Sequence, residues 1–140
     1  MAASTGSSSN PPPRPGEVIN YVYPFAIEQA AGRDEGVKER PVLVLAADAK
    51  GYIVVPVTTK GEINPANSIG VPGDVGRAMG LPYPDTSSVV VSEANAFDWM
   101  RHDVRSRPQG DYRYGMVTPG FFKKIVTEFL ARRVRPLNRR

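Results

Sequence analysis

Arg40 and Thr58 are the residues whose types and spacing first suggest chemistry. They bracket two apolar, β-branched runs, Val42–Leu45 and Tyr52–Val57, joined by the polar turn Asp48-Ala49-Lys50-Gly51. Each run is too short for a helix and too continuous for a surface strand, so each reads as a strand buried on both faces. The short connection makes them an antiparallel hairpin, with Gly51 free to take positive φ at the reversal. Such a hairpin brings its two outer ends side by side. Arg40-Pro41 opens the first strand and Pro56-Val57-Thr58-Thr59 closes the second, so a permanent cation and one or two hydroxyls meet at one rim. Glu35 precedes the first strand, and Glu93 ends a later run containing Val89-Val90-Val91. A guanidinium fork matches two phosphoryl oxygens and stays charged at any working pH. Hydroxyl donors add to it, and a carboxylate can take up or return a proton. Together these groups suit the holding of a charged phosphorus centre while a proton moves.

The elements that must position them follow from pattern. Residues 1–14 hold Ser, Asn, Gly and a Pro11-Pro12-Pro13 run, and read as a disordered arm. Order is expected from about residue 15, with a first strand in the apolar, aromatic stretch from Glu17 towards Phe25, where Pro24 marks an end or an edge. Ala26 to Glu39 is a long connection carrying Gly32, Gly36 and the charges Arg33, Asp34, Glu35, Lys38 and Glu39. Loops of that length are often functional, and the alternative is a tolerated insertion. Lys60 to Ser87 is rich in Gly and Pro, with one short strand at Ser68–Val71. Ser88 to Ala94 forms another strand. Phe97, Trp99, Arg101, Arg105, Arg107, Tyr112, Arg113 and Tyr114 then interleave aromatics with arginines, as stacking on single-stranded RNA requires and as an ordinary surface meander also does. Thr118-Pro119 opens one amphipathic helix through Phe122, Ile125, Val126, Phe129 and Leu130, and Pro136 stops its extension. Short strands and one late helix predict a mostly-β barrel domain over residues 15–131, followed by a basic tail, 132–140.

Composition bounds the function. A chain of 140 residues with 41% apolar content suits a single modest core. Without cysteine there is no disulfide and no thiolate nucleophile. A lone histidine, His102, leaves no Ser-His-Asp set and no histidine-built zinc site, and it reads as exposed and idle. No apolar run approaches a membrane span and no secretory leader is apparent, so a soluble, cytoplasmic protein without a cofactor or metal is expected. The net charge of +4 is a tail property. Five of the 18 basic residues are Arg132, Arg133, Arg135, Arg139 and Arg140; without them 13 basic groups face 14 acidic ones.

Three stretches resemble the PemK/MazF/Kid toxins of bacterial type II toxin–antitoxin pairs. Gly16-Glu17-Val18-Ile19 resembles the family's opening strand. Glu35 with Arg40-Pro41-Val42-Leu43-Val44-Leu45 matches its acidic-x4-Arg-Pro-apolar run, and Val55-Pro56-Val57-Thr58-Thr59 its Val-Pro-x-Thr signature. Weaker similarity extends the match over roughly residues 16 to 131. The resemblance implies an SH3-like, CcdB/PemK-like barrel that forms a homodimer, binds an acidic antitoxin and cleaves single-stranded RNA without a metal. It transfers catalytic roles to Arg40, Thr58 and the loop acid Glu35, and a further candidate acid to Glu93. Thr59, Lys60, Lys38 and Arg101 are the RNA-contacting candidates beside them.

Departures from the family pattern keep a second function open. The family's Asp-Gln-x-Arg is Glu93-Ala94-Asn95-Ala96 here, an Arg two residues before the acid is Val91, and a basic or imidazole residue of the first loop is Asp34. The phosphate-binding set is thinned to one sure cation unless Lys38, Lys60 or Arg101 substitutes. A catalytically weakened or non-catalytic binding module, of the gyrase-poisoning kind or an RNA- or antitoxin-binding kind, is the alternative. At the residue level, Arg40 has a structural reading as an ion-pair partner of Glu35 or Glu93. Thr58 and Thr59 have one as β-formers.

Overall fold

The computed structural model describes residues 13–22, 39–48, 51–58, 66–97 and 111–138. The arm at 1–12 and the loop candidates Glu35, Lys38, Thr59, Lys60 and Arg101 lie outside them. Among the described residues, eight strands and two helices follow in order: β1 (Glu17–Val22), β2 (Glu39–Asp48), β3 (Gly51–Thr58), β4 (Ser68–Gly70), α1 (Gly73–Ala78), β5 (Ser88–Val90), β6 (Asn95–Phe97), β7 (Arg113–Met116), α2 (Pro119–Ala131) and β8 (Leu137–Asn138).

The β2–β3 hairpin forms as its sequence dictates. Its register runs Val42↔Pro56, Leu43↔Val55 and Val44↔Val54, slips by a bulge before Ala46↔Ile53, and ends at Asp48↔Gly51, where Gly51 has φ 134°. Both faces are buried. Val18, Leu43, Val55, Val57 and Val89 line one core with Met79, Leu81 and the helix residues Phe121, Ile125 and Phe129. Ile19, Tyr21, Val42, Val44, Tyr52, Val54 and Tyr112 make a second cluster on the opposite face. Strict alternation sorts the residues because a strand's side chains point to opposite faces in turn.

The sheet order is β4-β5-β3-β2-β1-β7, with β6 also on β3 and β8 on β6. All pairings are antiparallel except β6–β8. The mostly-β architecture with a C-terminal helix is as expected, but the sheet does not close on itself: no pairing joins β4 to β7 among the described residues. The seam is bridged instead by α1, an element that the sequence pattern does not announce. Its glycines disguise it, although Val75 and Met79, four apart, are both buried. The turn after α1 meets β7 backbone to backbone. Gly80, at φ 74°, lies against the Tyr114 carbonyl, and a Cβ on Gly115 would sit 2.6 Å from the Ala78 oxygen.

Helix α2 starts where Thr118-Pro119 predicts, yet Thr118 makes no side-chain cap; its carbonyl accepts from Phe122 N–H at 2.9 Å. The buried stripe is Phe121, Ile125 and Phe129, so Leu130, expected on the apolar face, is 67% exposed. Past the helix the chain does not trail away: Val134 packs on the first core and β8 pairs with β6.

The seam makes a direct prediction. Gly115→Ala forces a methyl into the α1 backbone and should cost about 1–3 kcal/mol by denaturant titration. Gly120→Ala, at a helical position with nothing within 4 Å of the new methyl, should gain about 0.5–1 kcal/mol.

Candidate active site

Continued by two residues beyond Val42↔Pro56, the β2–β3 register sets Arg40 level with Thr58. On the outer sides of these strands, Arg40 pairs with Tyr21 of β1 and Thr58 with Ser88 of β5. Tyr21, Arg40, Thr58 and Ser88 therefore form one row across four strands at one end of the sheet. Alternation places all four on the second face: Arg40 in phase with Val42 and Val44, Thr58 with Val54, Tyr21 with Ile19, and Ser88 out of phase with Val89 of the first core.

The row is polar and shielded. Tyr21 and Ser88 are buried, Arg40 and Thr58 half-buried. The Tyr21 hydroxyl, Arg40 Nε and Thr58 Oγ1 have no solvent access. Thr58 Oγ1 also has no hydrogen-bond partner among the described residues, which for a buried hydroxyl costs about 1–3 kcal/mol. An acceptor oxygen delivered from outside would recover that cost. Sequence alone does not single out Tyr21 and Ser88, because nothing local reveals which β1 or β5 residue stands beside Arg40 or Thr58.

Glu93 is not in the row. Strand β5 stops at Val90, and β6 resumes pairing with β3 at Asn95↔Val54. Glu93 falls in the connection between the Val57↔Val89 and Val54↔Asn95 pairings, outside the register that sets the row. Val91, where the resembled family carries a cation, is fully buried in the first core with Leu43 and Ile125. An arginine there would point into that core and away from Arg40.

The aromatic–arginine stretch resolves, for its described members, into structural contacts. Arg113 donates from Nε to buried Glu17 Oε2 at 3.0 Å and lies 4.5 Å over the Tyr112 ring. Glu17 Oε1 accepts from Arg14 backbone N–H at 2.6 Å. The Tyr114 hydroxyl donates to Asn20 Oδ1 at 3.4 Å, and Asn20 Nδ2 donates to Glu39 Oε1 at 2.8 Å. Both ends of a buried amide are thereby used, and β7, β1 and β2 are tied together. Burial pushes the Tyr112 phenol up to about 12, with the Asp111, Glu17 and Tyr52 charges acting in the same sense and the Arg113 cation opposing. No group of three His, Cys, Asp or Glu side chains placed to hold a metal occurs among the described residues. No described helix is long and apolar enough to cross a membrane.

Two outcomes follow. Val91→Arg should destabilise the fold, by about 3 kcal/mol or more for an unpaired buried charge, and should not restore a phosphate contact; a urea midpoint measures the first. For Tyr112, the folded-state value lies above the unfolded value near 10, so its neutral form stabilises the fold below pH 10. That contribution should be lost as pH rises from about 10 to 12, and Tyr112→Phe should remove the step from a stability–pH curve.

No protein-family model matches this chain, and no curated protein matches its sequence. Among solved structures, a chain in the crystal structure of MazE-MazF (Form-II) from Deinococcus radiodurans superposes with a TM-score of 0.54 at 13% sequence identity. The match covers 87% of this chain and 95% of that one. At that identity the likeness is one of architecture: this chain shares its fold with a component of that MazE–MazF complex.

Proposed function

We propose that the chain is the toxin of a type II toxin–antitoxin pair and acts as a metal-independent endoribonuclease on single-stranded RNA. The observation that carries this reading is the row itself: a half-buried guanidinium and a buried, unsatisfied hydroxyl at adjoining strand ends, on one face. The likeness of fold to a chain of a MazE–MazF complex agrees with it. A homodimer and an acidic antitoxin partner belong to the same proposal.

In the proposed reaction a carboxylate, Glu35 or Glu93, takes the proton of the ribose 2′-hydroxyl. The 2′-oxygen then attacks phosphorus, the bond from phosphorus to the 5′-oxygen breaks, and a proton returns to the leaving oxygen. The products are a 2′,3′-cyclic phosphate and a 5′-hydroxyl end. Arg40 holds the two non-bridging oxygens through its fork as their charge grows. Thr58 Oγ1 donates to one of them. Thr59, Lys60, Lys38 and Arg101 contact the flanking strand.

A second reading is a binding module of the same fold without cleavage. It is favoured by the offset of Glu93 from the row and by the inward placement of Val91, which leave Arg40 as the cation of the described site. One variant separates the two readings. Arg40→Lys keeps the charge and loses the fork, so cleavage of single-stranded RNA in excess chelator should fall at least tenfold, about 1.4 kcal/mol of barrier, with little change in thermal stability. Cleavage that survives in proportion to folded protein would reduce Arg40 to a structural role. Wild-type dependence on magnesium would overturn the metal-free route, and growth arrest with intact RNA would select the binding module.

A further inference from the structure

Beyond α2 the chain turns back to the sheet through an energetically unusual residue. The helix ends at Ala131 with Arg132 as its C-cap, and Arg133 follows with φ 54°, alone among described non-glycine residues in having positive φ. Glycine fills this position after a helix at lower cost, because it has no Cβ to crowd the carbonyl. Val134 then packs on the first core, and Leu137 N–H donates to the Ala94 carbonyl at 2.7 Å. Strand β8 runs parallel to β6 in the register Asn95↔Leu137 and Ala96↔Asn138. Carried back two residues, that register sets Arg135 level with Glu93.

Arg132, Arg133 and Arg135 are all exposed, and none forms an ion pair among the described residues. Lys123 and Lys124 are exposed on α2. Between residues 119 and 138 these five cations face one acid, Glu128, whereas the chain without its C-terminal arginines is close to neutral. The charge is therefore concentrated on a segment that the β8 pairing and Val134 hold in place at the sheet edge carrying Glu93.

We propose that Arg132, Arg133 and Arg135 form a strip that binds the phosphate backbone of single-stranded RNA and leads it towards the Glu93 edge of the candidate site. This rests on the reading of the protein as an RNA-cleaving one. Three guanidiniums within four residues, held on an anchored stretch of backbone, match a ligand whose charge repeats along its length. A phosphodiester chain is such a ligand, and contacts of this kind position it without reading its bases. Position 133 carries arginine where glycine would be less strained, as expected if its side chain is used.

The test uses a fluorescently labelled 2′-O-methyl single-stranded RNA, which cannot be cleaved through its 2′-oxygen, titrated over a salt series. The R132Q/R133Q/R135Q variant should bind at least tenfold more weakly at low salt, and its log K against log salt should be shallower by about two, near 0.7 for each phosphate no longer neutralised. Arg133→Gly should keep or raise thermal stability, because glycine suits the backbone there, while flattening the slope by about 0.7. Unchanged affinity and slope in the triple variant, or full affinity in a folded Arg133→Gly, overturns the proposal. So does loss of binding to polyglutamate with RNA binding intact, which would make the strip a surface for an acidic protein. Wild type that fails to bind the probe also overturns it. Wild type that binds the probe but cleaves no natural RNA refutes the nuclease reading and leaves the strip standing.

Discussion

Strand β3 has a single outer edge and two claimants. On its inner side β2 occupies almost its whole length in an antiparallel ladder broken by one bulge. Its other edge is divided: β6 takes Tyr52 to Val54, and β5 takes Val57 and Thr58. Buried backbone groups must find partners, so the chain between the two short strands has to step past Val55–Pro56 before pairing resumes. Pro56 lacks an N–H to offer, which makes the middle of β3 the least costly place for that step. The division leaves Glu93 in the connection between the two short strands, off the line of Arg40 and Thr58.

The second face of the sheet explains how a guanidinium tolerates its surroundings. Arg40 stands one step beyond Val42 and Val44, so its stem continues an apolar surface while its head reaches the sheet's end. The neighbours that the register gives it are hydroxyl-bearing on both sides, Tyr21 and Thr58. Fixed hydroxyls beside a guanidinium are donors that an arriving anion can share with it. A site built so needs little reorganisation when an anion arrives.

The legible parts of the fold were those whose signals are local. The β2–β3 hairpin, the strand at Ser68 and the start of α2 each announce themselves within a dozen residues, through periodicity, turn chemistry and Thr118-Pro119. What was not legible depends on distant partners. Helix α1 is weak by propensity, with Gly73 and Gly76 inside it, and exists because Val75 and Met79 fill the seam. Strand β8 is two residues of unremarkable sequence that β6 recruits. The stripe of α2 keeps Ile125 and Phe129 as read, but begins at Phe121 instead of Phe122, since the two are equivalent until the sheet selects one. Within the site, the meeting of Arg40 with Thr58 was readable because one hairpin carries both. Tyr21 and Ser88 were not, because pairings across long connections have registers that no local pattern encodes.

The contact between α1 and β7 constrains how this sequence can vary. Gly80 abuts the Tyr114 carbonyl, and Gly115 abuts Ala78 and Met79, so each glycine is held by backbone on the other segment. Most packed pairs admit exchange, a larger residue at one position offset by a smaller one at the other. Here both members are already the smallest residue there is, and the obstacle is main chain that no substitution can trim. Positions 80 and 115 therefore have no compensating path between them: drift at either must move the whole turn, or not occur.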